Sequence, residues 1–347
     1  MRRILIGAII VLALLGAWVG VFLMVNKNAV AQSADVRLDA GASDAVAGET
    51  LDIFNWNLGY GGLGAESDFI ADGGTHMFPP SQRAVRANVA GIEEMLRSIN
   101  DDVILFQELA HGGPVNYWVN LKQHVDDTLA GRNRVFFADF KTRLMPWPLR
   151  MEHGQAIYSR LAIENADVVP LPAEDSGIFG VRRRYASVVA RLPMQNGPGW
   201  TIASVHLAAF DEDAAVRTRQ LHEVLAWAQR EYQSGRHVVI GGDWNFQIAD
   251  TNFPHNTDER FLFWLFPFPQ DALPEGWRIA ADASIPSVRT NHKPYVAGEN
   301  YVTTIDGFIV SPNVAVESVN GFDLGFAHTD HQPVHVRVRA IAPGATP

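Results

Sequence analysis

The chain has 347 residues, 47% of them hydrophobic and 19% charged, with 28 lysines and arginines against 38 acids. That length and apolar content suit one large or two ordinary globular domains with a sizeable core, and they exclude general disorder. Cysteine is absent, which excludes disulfides, thiolate metal sites and cysteine nucleophiles, so any metal must be held by carboxylate, amide or imidazole groups.

Arg2 and Arg3 precede an uncharged run from Ile4 to Val25, about 22 residues, long enough to cross a hydrocarbon layer as a helix. Residues 1–31 read as an N-terminal membrane anchor. The competing reading is a signal peptide cleaved after Ala31, because Ala29-Val30-Ala31 has the small-x-small pattern of a processing site. The length of the run favours the anchor, and either reading leaves the rest of the chain facing the periplasm or the exterior, tethered or secreted. With Arg2, Arg3 and Lys27 set aside, 25 basic residues oppose 38 acidic ones, a net charge near −13 that repels polyanions overall. Residues 32–50 are small and acidic without an apolar period and read as a flexible tether. A domain over 51–340 and a disordered tail over 341–347 complete the division.

Within the domain, Leu51 to Asn57 alternates as a first strand. The glycine-rich segment from Gly59 to Pro80 lacks a Walker lysine and is a loop, either mobile at the surface or a rim over a site. From Ser81 to Ile99, Val85, Val89, Ile92, Leu96 and Ile99 repeat at four-three spacing and define one apolar helix face. Val103 to Phe106 is a doubly buried strand ending at Gln107-Glu108. Asn116 to Leu129 reads as a second helix. Arg134 to Phe140 and Gln155 to Tyr158 read as strands, separated by a loop with Pro146, Trp147 and Pro148. Tyr185 to Arg191 and Trp200 to Val205 form a hairpin whose second strand ends at His206.

Asp211 and Asp213 are placed to cap a helix from Ala214 to Tyr232, which Gly235 ends. His237 to Ile240 is a buried strand after which Gly241 and Gly242 turn the backbone tightly, presenting Asp243 and Asn245 beyond the sheet edge. The aromatic run Phe261 to Phe266 reads as buried packing rather than a membrane-touching patch. Val302 to Ser311 carries Asp306, and Gln332 to Val338 is a final strand directly after Asp330-His331.

Acids, amides and imidazoles thus recur where buried strands finish: Asn57, Glu108, His206, Asp243 with Asn245, Asp306, and Asp330 with His331. Taken singly, each has a plain structural explanation as a satisfied turn, an exposed acid or a core histidine. Their shared position at strand ends is where α/β folds build sites.

Phe54-Asn-Trp-Asn57, Leu105-Phe-Gln-Glu108, Ser204-Val-His206, Gly241-Gly-Asp-Trp-Asn245, Thr304-Ile-Asp-Gly307 and Thr329-Asp-His-Gln-Pro333 resemble, in order, the motifs of the endonuclease/exonuclease/phosphatase superfamily. The resemblance runs from about Leu51 to Arg339. It implies a deoxyribonuclease I-like α/β fold, a four-layer sandwich of two packed mixed β-sheets flanked by helices. It also implies a metal-dependent phosphoric ester hydrolase in which Glu108, Asn57 and Asp330 meet Mg²⁺ or Mn²⁺, an ion suited to hard oxygen donors. By the same resemblance Asp306 orients His331, Asp243 activates or orients water, and Asn245 and His206 bind phosphoryl oxygens. The general base, Asp243 or His331, stays open. Three features depart from the pattern: Gly307 follows Asp306, Gln155 replaces a frequent asparagine, and Arg182-Arg-Arg184 reads as a solvated basic turn rather than a phosphate clamp.

The expected reaction is phosphodiester hydrolysis by in-line attack of water, by a monomer whose partners are its phosphoester substrate and a membrane. A nuclease, a sphingomyelinase- or phospholipase C-like enzyme and a hydrolase of small soluble phosphoesters compete as substrate classes. The negative field gives little support to nucleic acid. A non-catalytic binding module is disfavoured because every expected ionisable position is filled.

Overall fold

The computed structural model describes residues 1–27, 30–174, 180–211 and 213–341. In chain order its main elements are helix α1 (Arg2–Lys27), strands β1 (Arg37–Asp39) and β2 (Thr50–Asn57), helix α2 (Gln82–Ser98), strand β3 (Val103–Ala110) and helix α3 (Leu121–Thr128). Strands β4 (Asn133–Lys141), β5 (Glu152–Ser159), β6 (Asn165–Pro170), β7 (Ala186–Leu192) and β8 (Trp200–His206) follow, then helix α4 (Ala215–Gln233). The chain closes with β9 (His237–Asp243), β10 (Arg278–Ala280), β11 (Val288–Arg289), β12 (Val302–Thr303), β13 (Asp306–Val310), β14 (Val314–Gly321) and β15 (Val334–Ala340).

Two mixed sheets pack face to face, with strand orders β1-β4-β5-β3-β2-β15-β14 and β10-β13-β9-β8-β7-β6; β11 and β12 form a separate ribbon. Between the sheets lie Leu51, Ile53, Leu105, Phe137, Ile157, Val188, Ile202, Val239 and Phe308. The outer face of the first sheet is covered by α2 and α3, and that of the second by α4. This is the expected four-layer sandwich. Helix α2 forms where its apolar period predicts, buries Val85, Val89, Ile92 and Leu96, and is capped by Ser81, whose hydroxyl accepts from Ala84 N at 3.1 Å. Each such side chain contributes about 1.5–3 kcal/mol by leaving water.

Four expectations are corrected. The segment over 32–50 does not hang free: β1 pairs antiparallel with β4, Ala47 bridges Met194, and Ala31 and Ala47 enter the core. Backbone pairing and small side chains need no apolar period, which is why the pattern hid them. The helix expected from Asn116 starts only at Leu121, because Tyr117 and Trp118 take left-handed φ values of 49° and 59°. The strand expected over 302–311 breaks between Thr303 and Asp306, its first part pairing with β11 and its second with β9.

The fourth concerns Gly241 and Gly242, which continue β9 as far as Asp243 instead of turning. A Cβ on Gly241 would lie 2.7 Å from Leu105 of the facing sheet and 2.6 Å from Phe308, and one on Gly242, at φ +150°, would lie 2.1 Å from Val205 O. The glycines are there for close approach of neighbouring chains, and the turn falls after Asp243.

Candidate active site

The site is assembled by pairing register. His206 on β8 lies opposite Asp243 on β9, and Asp243 lies opposite Asp306 on β13, so three chemically active residues occupy one rung across three adjacent strands. The first sheet contributes Asn57 from the end of β2. Glu108 comes from a bulge in β3, where the register to β5 shifts between Phe106 and Leu109. A matching irregularity in β4 between Phe137 and Phe140 turns out Asp139. Tyr60, Glu108 and Asn245 all hold left-handed φ values, 56°, 54° and 52°. Such conformations cost about 1–3 kcal/mol each and persist only where the surroundings enforce them.

These groups surround an open cleft of about 100 Å³, lined by Glu108, Arg183, His206, Asp243, Asn245, Asp330 and His331 among others. Asp306 lies just behind it, fully buried, and Asn57 reaches it through Asp243, to whose Oδ2 its amide donates at 3.0 Å. Every residue expected at the site is therefore brought to one end of the sandwich.

Protonation follows from the contacts. His331 Nδ1 is 2.8 Å from Asp306 Oδ2 and its Nε2 is 3.7 Å from Asp243 Oδ2. Burial alone would lower its pKa, but Asp306 and Asp243 outweigh burial and raise it well above the usual imidazole range, so the ring carries a proton at neutral pH. His206 has the opposite setting. Burial and the neighbouring Arg183 hold it well below that range, so it is neutral. Arg183 Nη2 donates to its Nδ1 at 2.8 Å, which leaves the hydrogen on Nε2, aimed at the cleft 3.5 Å from Asp243 Oδ2. Asp243 is pushed up to about 6, first by burial and then by Asp306, despite the attraction of His331 and the hydrogen bonds from Asn57 and the Asn245 backbone. Glu108 is pushed to about 8 by burial, then by Asp330 and Asp243. Asp72, on the glycine-rich loop, reaches about 7 through burial and Asp330.

Five carboxylates thus converge with too few cations to neutralise them. That excess, with oxygen donors throughout and no sulfur, fits a hard divalent cation beside Glu108, Asp330 and Asn57. Ligand atoms of Asp243, Asp306 and His331 also lie within 4.8 Å of one another. The 2.8 Å contact already commits His331 Nδ1 to Asp306, however, so that trio reads as a proton relay.

Several contributors escape the strand-end pattern. Arg183 belongs to the basic run that reads as a solvated turn, yet it is held in the cleft wall by Asp139 Oδ2, donating from Nε at 3.0 Å and from Nη2 at 2.6 Å. The available signal was its position just before β7, whose first residues lie at the site end. Tyr60 and Asp72 make the glycine-rich loop a rim, the second of its two expected roles. Buried Arg217 donates to the carbonyls of Asn245, Ala209 and Trp264 and fixes the Asn245 turn from behind. Asn245 donates one N–H to Leu207 O at 3.0 Å, and its second N–H remains for an anionic oxygen. Gln155 turns away from the cleft, donating to Ala186 O and accepting from Ser204.

The family profile described as "Endonuclease/Exonuclease/phosphatase family" matches residues 54–331. No curated protein matches the sequence. Among solved structures, an endonuclease/exonuclease/phosphatase from Beutenbergia cavernae is 15% identical with a TM-score of 0.55, over 86% of this chain and 73% of that one. A D. rerio TDP2 humanized by 14 mutations is 14% identical with a TM-score of 0.52, over 84% of this chain and 100% of that one. The human Nocturnin catalytic domain with bound sulfate is 16% identical with a TM-score of 0.51, over 84% and 94%. At these identities the structural likeness speaks for the fold.

Proposed function

We propose, for a chain that belongs to the endonuclease/exonuclease/phosphatase family and is therefore of the phosphoesterase type, that it hydrolyses a phosphodiester by in-line attack of water at a membrane. The observation that carries this reading is the cleft in which His206, His331 and Arg183 face a cluster of carboxylates. Glu108, Asp330 and Asn57 would hold Mg²⁺, or Mn²⁺ in its place. When bound, the ion supplies charge neutralisation at a phosphoryl oxygen and at the leaving group.

The chain's own groups divide the remaining work. The Nε2–H of His206, the free N–H of Asn245 and the guanidinium of Arg183 are donors for the phosphoryl oxygens. Asp243, with its raised pKa, orients water and can accept its proton near neutral pH. Asp306 fixes the ring of His331 and favours its charged form, which stabilises a developing anion and can return a proton to the leaving oxygen. Asp139 holds Arg183, and Arg183 sets the tautomer of His206.

The membrane reading rests on α1, 26 residues long and uncharged between Arg3 and Lys27. A signal peptide shares that character. The retained anchor is favoured because the last turn of α1 is built into the domain. Asn26, 1% exposed, donates to Arg143 O at 2.9 Å and accepts from Arg143 N at 2.8 Å. Phe22 packs with Phe140 and Val181.

Wild-type and Asp243→Asn protein, assayed on bis(4-nitrophenyl) phosphate with Mg²⁺ and with EDTA, test the chemistry. Activity in the wild type with Mg²⁺ alone is expected. Equal turnover in all four conditions ends the metal-hydrolase reading.

A further inference from the structure

The end of the sandwich that carries the site also carries most of the domain's exposed apolar surface. Five loops leave the sheets there. The β4–β5 loop exposes Leu144, Trp147 and Leu149, with Trp147 at 80% and Leu149 at 57%. The loop after β2 exposes Ile70, Met77 and Phe78, and the loop after β3 exposes Trp118. Phe210, after β8, and Phe263, after β9, are each 47% exposed and stack on one another with centroids 6.2 Å apart, beside a cleft that Phe210 lines; within the 261–266 run, expected as buried packing, only Trp264 is buried. The turns at the opposite end, between α2 and β3, β7 and β8, and α4 and β9, expose no large apolar side chain among the described residues; Leu38, on β1 opposite Val135, and Val46 are such side chains nearby.

Water disfavours this asymmetry, since each exposed tryptophan or leucine forgoes about 1.5–3 kcal/mol of burial. A loop with Trp147 and Leu149 at its tip has the composition of segments that rest at the boundary of a bilayer. Its position names the partner. Arg143, in that loop, is the residue that binds Asn26 of α1, and Phe140, at the base of the loop, packs on Phe22. The apolar helix therefore joins the domain at the same end, while its preceding turns stand clear of the protein.

We propose that these loops lie on the surface of the bilayer that α1 enters, so that the cleft opens onto lipid head groups and the substrate is a lipid phosphodiester. The substrate class rests on the phosphodiesterase reading; the contact with the bilayer does not.

The absence of cysteine permits a direct test, because one introduced thiol is a unique label. Full-length Leu149→Cys, Phe78→Cys and Asn196→Cys proteins, labelled with an environment-sensitive fluorophore, are reconstituted into phosphatidylcholine–phosphatidylglycerol vesicles with and without lipids bearing a nitroxide on the acyl chain. Asn196, in the β7–β8 turn, marks the far end. Labels at 149 and 78 are expected to emit to the blue and to be quenched about twofold or more, with the label at 196 unaffected. If 149 and 78 behave like 196, or if 149 alone is quenched, the cleft does not face the bilayer and the proposal falls.

The same vesicles test the substrate. Release of head groups, reduced about tenfold by Trp147→Ser/Leu149→Ser while the soluble aryl diester is cleaved at the wild-type rate, is expected for a surface-bound enzyme. Cleavage of added plasmid DNA with none of the lipid overturns the substrate class. Quenching without cleavage of any diester counts against the phosphodiesterase reading alone, and diester cleavage without quenching counts against the bilayer contact alone.

Discussion

Arg183→Met removes a guanidinium that holds two other groups in place. Arg183 donates twice to Asp139 Oδ2, at 3.0 and 2.6 Å, and once to His206 Nδ1, at 2.8 Å. Asp139 is 2% exposed. Burial works to raise its pKa, yet Arg183 and then His153 hold the carboxyl well below the usual range. Without Arg183 the main compensating group is His153, at 3.3 Å. Removing one partner of a buried ion pair costs about 3–5 kcal/mol, because the other charge stays desolvated, whereas replacing both is often close to neutral. At about 2–4 °C per kcal/mol for a domain of this size, Arg183→Met should melt about 10 °C below wild type. Asp139→Asn/Arg183→Met should recover at least half of that loss.

Turnover should not recover with stability. Loss of hydrogen bonds from a charged donor, about 1.5–3 kcal/mol, corresponds to a fall of roughly 10- to 100-fold in kcat/KM for both variants. Differential scanning calorimetry of the detergent-solubilised full chain, beside the aryl diester assay, reads both quantities. A single variant that melts within about 2 °C of wild type, or a double variant no more stable than the single one, would show that the pair is not desolvated as described.

Asp306→Asn keeps the shape beside His331 but removes the carboxylate 2.8 Å from Nδ1. kcat/KM should drop by about 10- to 100-fold, and the limb of the pH–rate profile that reports His331 should move to lower pH; an unchanged profile would remove the relay. Mg²⁺ at about 100 times its dissociation constant should stabilise the fold by about 2.7 kcal/mol, seen as a higher melting temperature that EDTA reverses and that Glu108→Gln abolishes. His335 lies 3.1 Å from both Asp52 and Asp101. Burial lowers its pKa but the two acids outweigh it and raise it, so the folded state binds the proton more tightly than the unfolded state. The stabilisation is complete below the unfolded value of about 6.5 and is lost as pH rises through the raised folded value, so His335→Asn should cost about 1–2 kcal/mol at pH 5.5 and little at pH 9. A cost independent of pH in urea titrations would show that the imidazole acts through packing alone.

Much of this was legible in the sequence because it depends on short-range pattern. The apolar period of Val85, Val89, Ile92 and Leu96 gave α2 its face, and the buried strands before Asn57, His206 and Asp243 carried those groups to a common edge. What stayed hidden depends on pairing between distant segments. Arg37 to Asp39 pairs through backbone and the Asp39–Arg134 ion pair, with no buried apolar side chain, so β1 has no apolar signature. Asp139 reaches the site only because β4 and β5 slip register, and Arg183 only because Asp139 is there to receive it. Arg217 and Arg289 could not be told from surface arginines, since their full burial follows from loops folding over them to collect carbonyl bonds. Gly241 and Gly242 signal a turn by residue type alone, whereas the facing sheet that presses on them comes from a distant segment.

The rung His206–Asp243–Asp306 ties the chemistry to hydrogen-bonded neighbours about 4.8 Å apart. Because alternate residues of a strand point to opposite faces, a slip of one position in β9 would turn its carboxylate away from both partners and drive core residues outward at the same stroke. Folding therefore proofreads the reactive geometry: a molecule that has found its core has also found the spacing of its acid and imidazole groups, and evolution can rework the surrounding loops for new substrates without disturbing it.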